Sequence, residues 1–172
     1  MNRRALFRWI SFALTGGFAL FLAIPGIGLL VEPLRRQAKK GKRRQLLKLN
    51  DLEVGVPRKF VLRDRRTDAW TRYPEGPIGA VWLVRRDAKQ VDVFSVTCPH
   101  LGCQVDHVAA EKKFFCPCHE ASFTEEGGII SGPQRRGLDT LDTTLETVAG
   151  EEWVSVIFEK FESGSEEKIP LG

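Results

Sequence analysis

This 172-residue sequence has little soft-ligand chemistry: it holds four cysteines and three histidines, and all seven fall within residues 98–119. The scarcity confines any metal or thiol chemistry to that one stretch. Internal repeats are absent, which excludes a solenoid. After residue 50 no segment has the length and period of an amphipathic helix, which excludes a helical bundle. Acids are almost missing from the first 50 residues, where 11 Lys and Arg face the single acid Glu32; the remaining residues carry 15 Lys and Arg against 21 acids. The two parts are therefore +10 and −6, and the net charge of +4 describes neither. Because the basic residues flank an apolar span, the charge is not a nucleic-acid signal.

That span, "WISFALTGGFALFLAIPGIGLLV" (9–31), contains no charge. As a helix it reaches roughly 35 Å, enough to cross a hydrocarbon core of about 30 Å. Gly16, Gly17, Pro25, Gly26 and Gly28 weaken a soluble helix but are common in membrane spans. The run is long for a cleaved signal peptide and lacks a small-x-small processing site. A retained single-pass anchor is predicted, with Trp9 at the membrane interface. Counting Lys and Arg places "RRQAKKGKRR" (35–44) on the cytoplasmic side. The opening "NRRALFR" (2–8), however, resembles a twin-arginine export signal, a route for proteins already folded around their cofactors.

The sequence thus reads as a basic N-terminal segment (1–8), an anchor (9–31) and a basic connector (32–50) able to lie against anionic lipid head groups. A folded domain (51–161) and a frayed tail "ESGSEEKIPLG" (162–172) follow. Short β-rich runs fill the domain: "KFVLR" (59–63), "AVWLV" (80–84), "DVFSVT" (92–97), "KFFCP" (113–117), "GGIIS" (127–131), "LETVA" (145–149) and "EWVSVIF" (152–158). The Pro- and Gly-bearing "TDAWTRYPEGPIG" (67–79) is predicted to be a loop. The fold class is all-β, an antiparallel sandwich or small barrel, with one N-terminal transmembrane helix.

The cysteines and histidines sit in "CPHLGC" (98–103) and "CPCHEASF" (116–123). Cys98-x-His100 and Cys116-x-x-His119 offer two thiolates and two imidazoles, with Cys103 and Cys118 as extras. Such a set can bind tetrahedral zinc. It can equally bind a 2Fe-2S centre in which two histidines replace two cysteines. A metal, a disulfide, or both remain open from spacing alone.

The two loops, followed by "GPQRRGLDTL" (132–141), resemble the paired cluster loops and proline loop of the Rieske iron-sulfur proteins of quinol-oxidising cytochrome bc-type complexes. The resemblance covers roughly residues 49–160. It implies a Rieske-type fold with a cluster-binding subdomain and one 2Fe-2S cluster held by Cys98, His100, Cys116 and His119. It also implies a disulfide between Cys103 and Cys118. Such a bond persists on the oxidising side of a bacterial cytoplasmic membrane, which favours a cytoplasmic N-terminus and an outer head. Gly102 is expected to allow close backbone approach and Leu101 to shield the cluster from water.

By the same resemblance the protein is an electron-transfer subunit of a quinol–cytochrome c oxidoreductase. Its implied partners are a cytochrome b-type subunit, a c-type cytochrome, quinol and membrane lipid, with no nucleic acid. His100 and His119 would meet quinol, and the connector would let the head swing. A Rieske subunit of an arsenite oxidase-type enzyme and an anchored structural zinc module are the alternatives. Many high-potential members carry a serine and a tyrosine after the second histidine, both donating hydrogen bonds to sulfur. Here Glu120, Ala121 and Phe123 occupy that stretch, and neither Ala121 nor Phe123 can donate. A low potential suited to menaquinol is therefore expected.

Simpler roles are expected elsewhere. His107 lies outside the ligand spacing and reads as a surface or hydrogen-bonded residue. Trp70, Trp82 and Trp153 read as core or loop-anchoring aromatics. Arg135 and Arg136 read as a solvated turn. Ser122 lacks a metal-free histidine base, which argues against hydrolase chemistry.

Overall fold

The structure is a computed structural model that describes residues 2–35, 41–68 and 70–171, the side chains of residues 33–35 and 66 excepted. It divides into two units, Met1–Lys39 and Lys40–Gly172. The first is a single helix, α1 (Arg3–Arg35). Its stretch Arg3–Glu32 is long and apolar enough to cross a membrane, and Leu6, Phe12, Phe18, Phe21 and Leu29 all stand exposed. A helix apolar on every side is matched to lipid rather than to water. It outruns the predicted 9–31 at both ends because Arg, Ala and Leu there are good helix formers.

The second unit is all-β. Its strands are β1 (Arg43–Lys48), β2 (Arg58–Thr67), β3 (Arg72–Arg85), β4 (Val91–Ser95), β5 (Asp106–Val108), β6 (Lys113–Cys116), β7 (Ala121–Thr124), β8 (Ile129–Ser131), β9 (Asp142–Val148), β10 (Glu151–Ile157), β11 (Lys160–Phe161) and β12 (Pro170–Leu171). They form antiparallel sheets of order β1-β10-β9, β2-β3-β4 and β5-β6-β7-β8, with β11 and β12 paired as a short ribbon.

Side chains in a strand alternate between faces, and β3 and β4 use both. Val81, Leu83, Val91 and Val93 enter one core with Leu47, Leu49, Val154 and Val156. Their neighbours Trp82, Val84, Phe94 and Val96 enter a second core with Phe114, Phe123, Cys98 and Cys116. The middle sheet is therefore shared, which explains why "AVWLV" is apolar without interruption. The second core carries the two loops of interest at its end.

Four expectations are corrected. The connector is shorter than 32–50, because Arg43–Lys48 pairs with β10 and buries Leu46, Leu47 and Leu49. The segment 67–79 is not a loop: from Arg72 onward it continues β3, and Pro77 pairs opposite Arg63 beside an irregularity in register. Residues 72–80 have β2 as a partner while β4 joins only at Val81, and the resulting free edge accommodates Pro74 and Pro77. The tail 162–172 is not frayed over its described part: Glu162 N–H donates to Ile169 O at 2.9 Å, and β12 closes on β11. Trp70, expected in a core or anchoring a loop, is 94% exposed at the tip of the β2–β3 ribbon.

Candidate metal centre

The first loop joins β4 to β5. Cys98 N–H donates to Cys103 O at 2.7 Å and Gly102 N–H returns to Cys98 O at 2.9 Å, so the loop closes on itself. Gly102 lies at φ +80°, and the nearest atom a Cβ would meet is Ser163 Oγ at 3.5 Å. Its requirement is the left-handed backbone rather than the close approach expected from sequence.

The second loop is the turn of the β6–β7 hairpin, where Cys116 pairs across from Ala121 and Pro117, Cys118, His119 and Glu120 make the corner. Glu120 adopts φ +54°, a left-handed conformation that disfavours most side chains. The third loop runs from Gly132 to Leu141. A Cβ on Gly132 would collide with Gln134 Oε1 and lie 2.7 Å from Ala121 Cα, so this loop presses directly on the start of β7.

A disulfide joins Cys103 to Cys118 across 6.6 Å between Cα atoms. Cys98 and Cys116 are free thiols, both buried. Burial pushes the Cys98 thiol up to about 11; backbone N–H groups of His100 and Leu101 pull it down, and the Cys116 thiol alongside adds to the rise. The His100 and His119 rings stand edge-to-face with centroids 4.7 Å apart. His119 is exposed and His100 half-buried. Leu101 is 62% exposed, forming an apolar tip beside them.

The sulfur atoms of Cys103, Cys116 and Cys118 also lie within 4.8 Å of one another. That trio is not a ligand set, because two of its sulfurs are spent in the disulfide and only a thiolate ligates. What remains is two buried thiols and two neighbouring imidazoles, a donor set that fits a Rieske 2Fe-2S cluster.

A family model, the Rieske 2Fe-2S domain, matches residues 46–142. The chain belongs to the Rieske family. Its cofactor is a Rieske 2Fe-2S cluster. Among curated relatives, the menaquinol:cytochrome c reductase iron-sulfur subunit of Bacillus subtilis is 28% identical over 131 residues, covering 73% of this chain and 76% of that protein. The cytochrome b6-f complex iron-sulfur subunit of Nostoc punctiforme is 29% identical over 148 residues, 84% of this chain and 80% of that one. A solved plasma membrane Rieske protein from Synechocystis is 27% identical with a TM-score of 0.42, covering 64% of this chain and 97% of that one.

In this Rieske head Glu120, directly after the second histidine, is exposed, whereas Ala121, Ser122 and Phe123 of β7 are buried. Ala121 and Phe123 face the second core with Cys98 and Cys116. Strand alternation turns Ser122 to the other face. The Thr124 hydroxyl is engaged in the following turn, accepting from Glu126 N–H and Gly128 N–H at 3.2 Å each and bonding the Glu126 carboxyl.

Other expectations divide. His107 is hydrogen-bonded, its Nε2 2.9 Å from Glu125 Oε1. Trp82 is core and donates Nε1–H to Val105 O at 3.0 Å; Trp153 is half-buried under the Lys48 ammonium. Arg135 stands exposed beside a cavity of about 280 Å³ that it shares with Pro99, His100, Leu101, Pro133 and Gly164. Arg136 is not in a solvated turn: its side chain is 10% exposed and pairs bidentately with Asp139, 5% exposed, at 2.9 Å on each oxygen. The spacing Arg-x-x-Asp was a signal for this pair.

Proposed function

We propose that Cys98 and Cys116 hold one iron of the cluster and His100 and His119 the other, and that the protein is the electron-transfer subunit of a quinol-oxidising bc/b6f-type complex. The observation that carries this reading is the meeting of two free buried thiols and two imidazoles beside the Cys103–Cys118 bridge. The menaquinol reductase and b6-f subunits among its relatives support it. When bound, the cluster supplies a one-electron acceptor. Each histidine, ligating through one ring nitrogen, keeps the other for the quinol hydroxyl, accepting first its hydrogen bond and then its proton. The buried Pro99 closes the inner edge of the site, and Leu101 presents an exposed apolar tip beside the histidines. The bound cluster would supply the electron to a c-type cytochrome.

The quinol is menaquinol. Ala121 and Phe123 have no donor, Ser122 faces away and Thr124 is engaged, so no side-chain hydroxyl of β7 is placed to stabilise electron-rich sulfur. The anchor crosses a bacterial cytoplasmic membrane once with its N-terminus in the cytoplasm. The head lies on the oxidising side, where the disulfide endures.

The test is a redox titration of the purified, detergent-solubilised protein followed by electron paramagnetic resonance. A Rieske signal that titrates in the lower half of the roughly −150 to +300 mV range is expected, and His119→Ala abolishes it. Zinc in place of iron would sink the cluster assignment. A midpoint near the upper limit would sink menaquinol.

A further inference from the structure

The guanidinium of Arg136 has five N–H donors, and all five are used. Nε and Nη2 hold the Asp139 carboxylate, Nη2 also reaches Glu162 O at 2.6 Å, and Nη1 reaches Ser165 O and Glu167 O. Three backbone carbonyls of one short segment thus converge on a single side chain of the proline loop. The same segment touches the first cluster loop: Gly164 N–H donates to Pro99 O at 2.9 Å, and Gly164 shares the cavity that includes His100 and Leu101. Ser163 Oγ lies beside Gly102. Downstream, Lys168 Nζ bonds Thr140 O and sits over the Phe161 ring at 4.7 Å, and β11–β12 closes the ribbon.

The geometry points to residues 160–171 as a strap that ties the proline loop to the first cluster loop and fixes the stance of His100, with Arg136 and Gly164 as positioning residues for electron transfer. A carbonyl that bonds a guanidinium is worth more than one bonding water, so Arg136 fixes the strap at Glu162, Ser165 and Glu167 in addition to the strap's own β11–β12 pairing. The Pro99 carbonyl lies next to His100, and its hydrogen bond is the strap's direct hold on that residue's backbone. This rests on the ligand reading above, and it fails differently: loss of the Rieske signal in His100→Ala bears on the ligands, whereas the strap is read while that signal persists.

The experiment compares the full-length wild type with Arg136→Ala and with a chain ending at Glu159, which keeps the Arg136–Asp139 pair but lacks the strap. Iron content, amide hydrogen exchange over residues 98–103, the resonance line shape and the midpoint potential are measured. Both variants are expected to retain two irons per chain and to exchange the Gly102 amide at least about tenfold faster, as local opening becomes easier. Both should shift the line shape and midpoint in the same direction, and Arg136→Lys should restore neither, having no fork to share among five acceptors. Unchanged exchange, line shape and midpoint in the truncated chain would overturn the proposal. If both variants fail to assemble the cluster, the strap is a folding element and the positioning role is rejected.

Discussion

Ala121 and Phe123 stand where the resemblance to high-potential members leads to the expectation of two hydroxyls, and both side chains lie in the core that contains Cys98 and Cys116. A hydrogen bond to a charged group contributes about 1.5 kcal/mol, and a tenfold change in a one-electron equilibrium is about 59 mV. Ala121→Ser and Phe123→Tyr should therefore each raise the midpoint by about 60 mV, read by redox titration. Phe123 is fully buried, so a tyrosine hydroxyl that misses sulfur would instead cost about 1–3 kcal/mol of stability. The outcome thus reports where the hydroxyl points. The bridge can be tested in the same way. Cys103 and Cys118 close a loop of 15 residues, and removing such a crosslink costs about 3 kcal/mol in the chain-entropy account. The Cys103→Ser, Cys118→Ser double variant should lose iron to a chelator much faster than wild type, with a lower urea midpoint.

The two loops could be picked out from sequence because Cys98, His100, Cys116 and His119 lie in two short local words, although spacing alone left open what they hold. β1 could not. "RRQLLK" continues a basic run that starts before it, and its strand character comes from pairing with β10, more than 100 residues away. Its leucines are nonetheless core: Leu47→Ala should destabilise the head by about 2–5 kcal/mol in chemical denaturation. Half of β3 was hidden by Pro74, Gly76, Pro77 and Gly79, residues that usually punctuate loops and are tolerated here on a free edge. The strap was hidden for another reason. Its partners are backbone carbonyls, which every sequence possesses, and only the arrival of Arg136 distinguishes them.

Over the whole head, several carboxyl groups sit below their usual range. Asp64 is held down by the Arg44 guanidinium, Asp68 by the amides of Trp70 and Thr71, Asp106 by the Lys59 ammonium and Glu126 by the Thr124 hydroxyl. A carboxyl depressed in the folded state contributes stability that is full above its unfolded value, near pH 4, and lost as pH falls through the lower folded value. The melting temperature should thus be nearly flat from pH 8 to pH 5 and decline below about pH 4. The groups are at the surface, so the decline should be modest, and salt should shrink the share due to Lys59 and Arg44. The sheet β2-β3-β4 has a broader effect. Its strands furnish alternate side chains to both cores, so neither core can close without placing the other's residues. The head should accordingly melt in one calorimetric transition, and the iron-free chain with its disulfide intact should keep its β-sheet circular dichroism. Iron then arrives at a finished receptacle instead of moulding one, and cofactor insertion becomes a late step that any correctly folded copy is ready to receive.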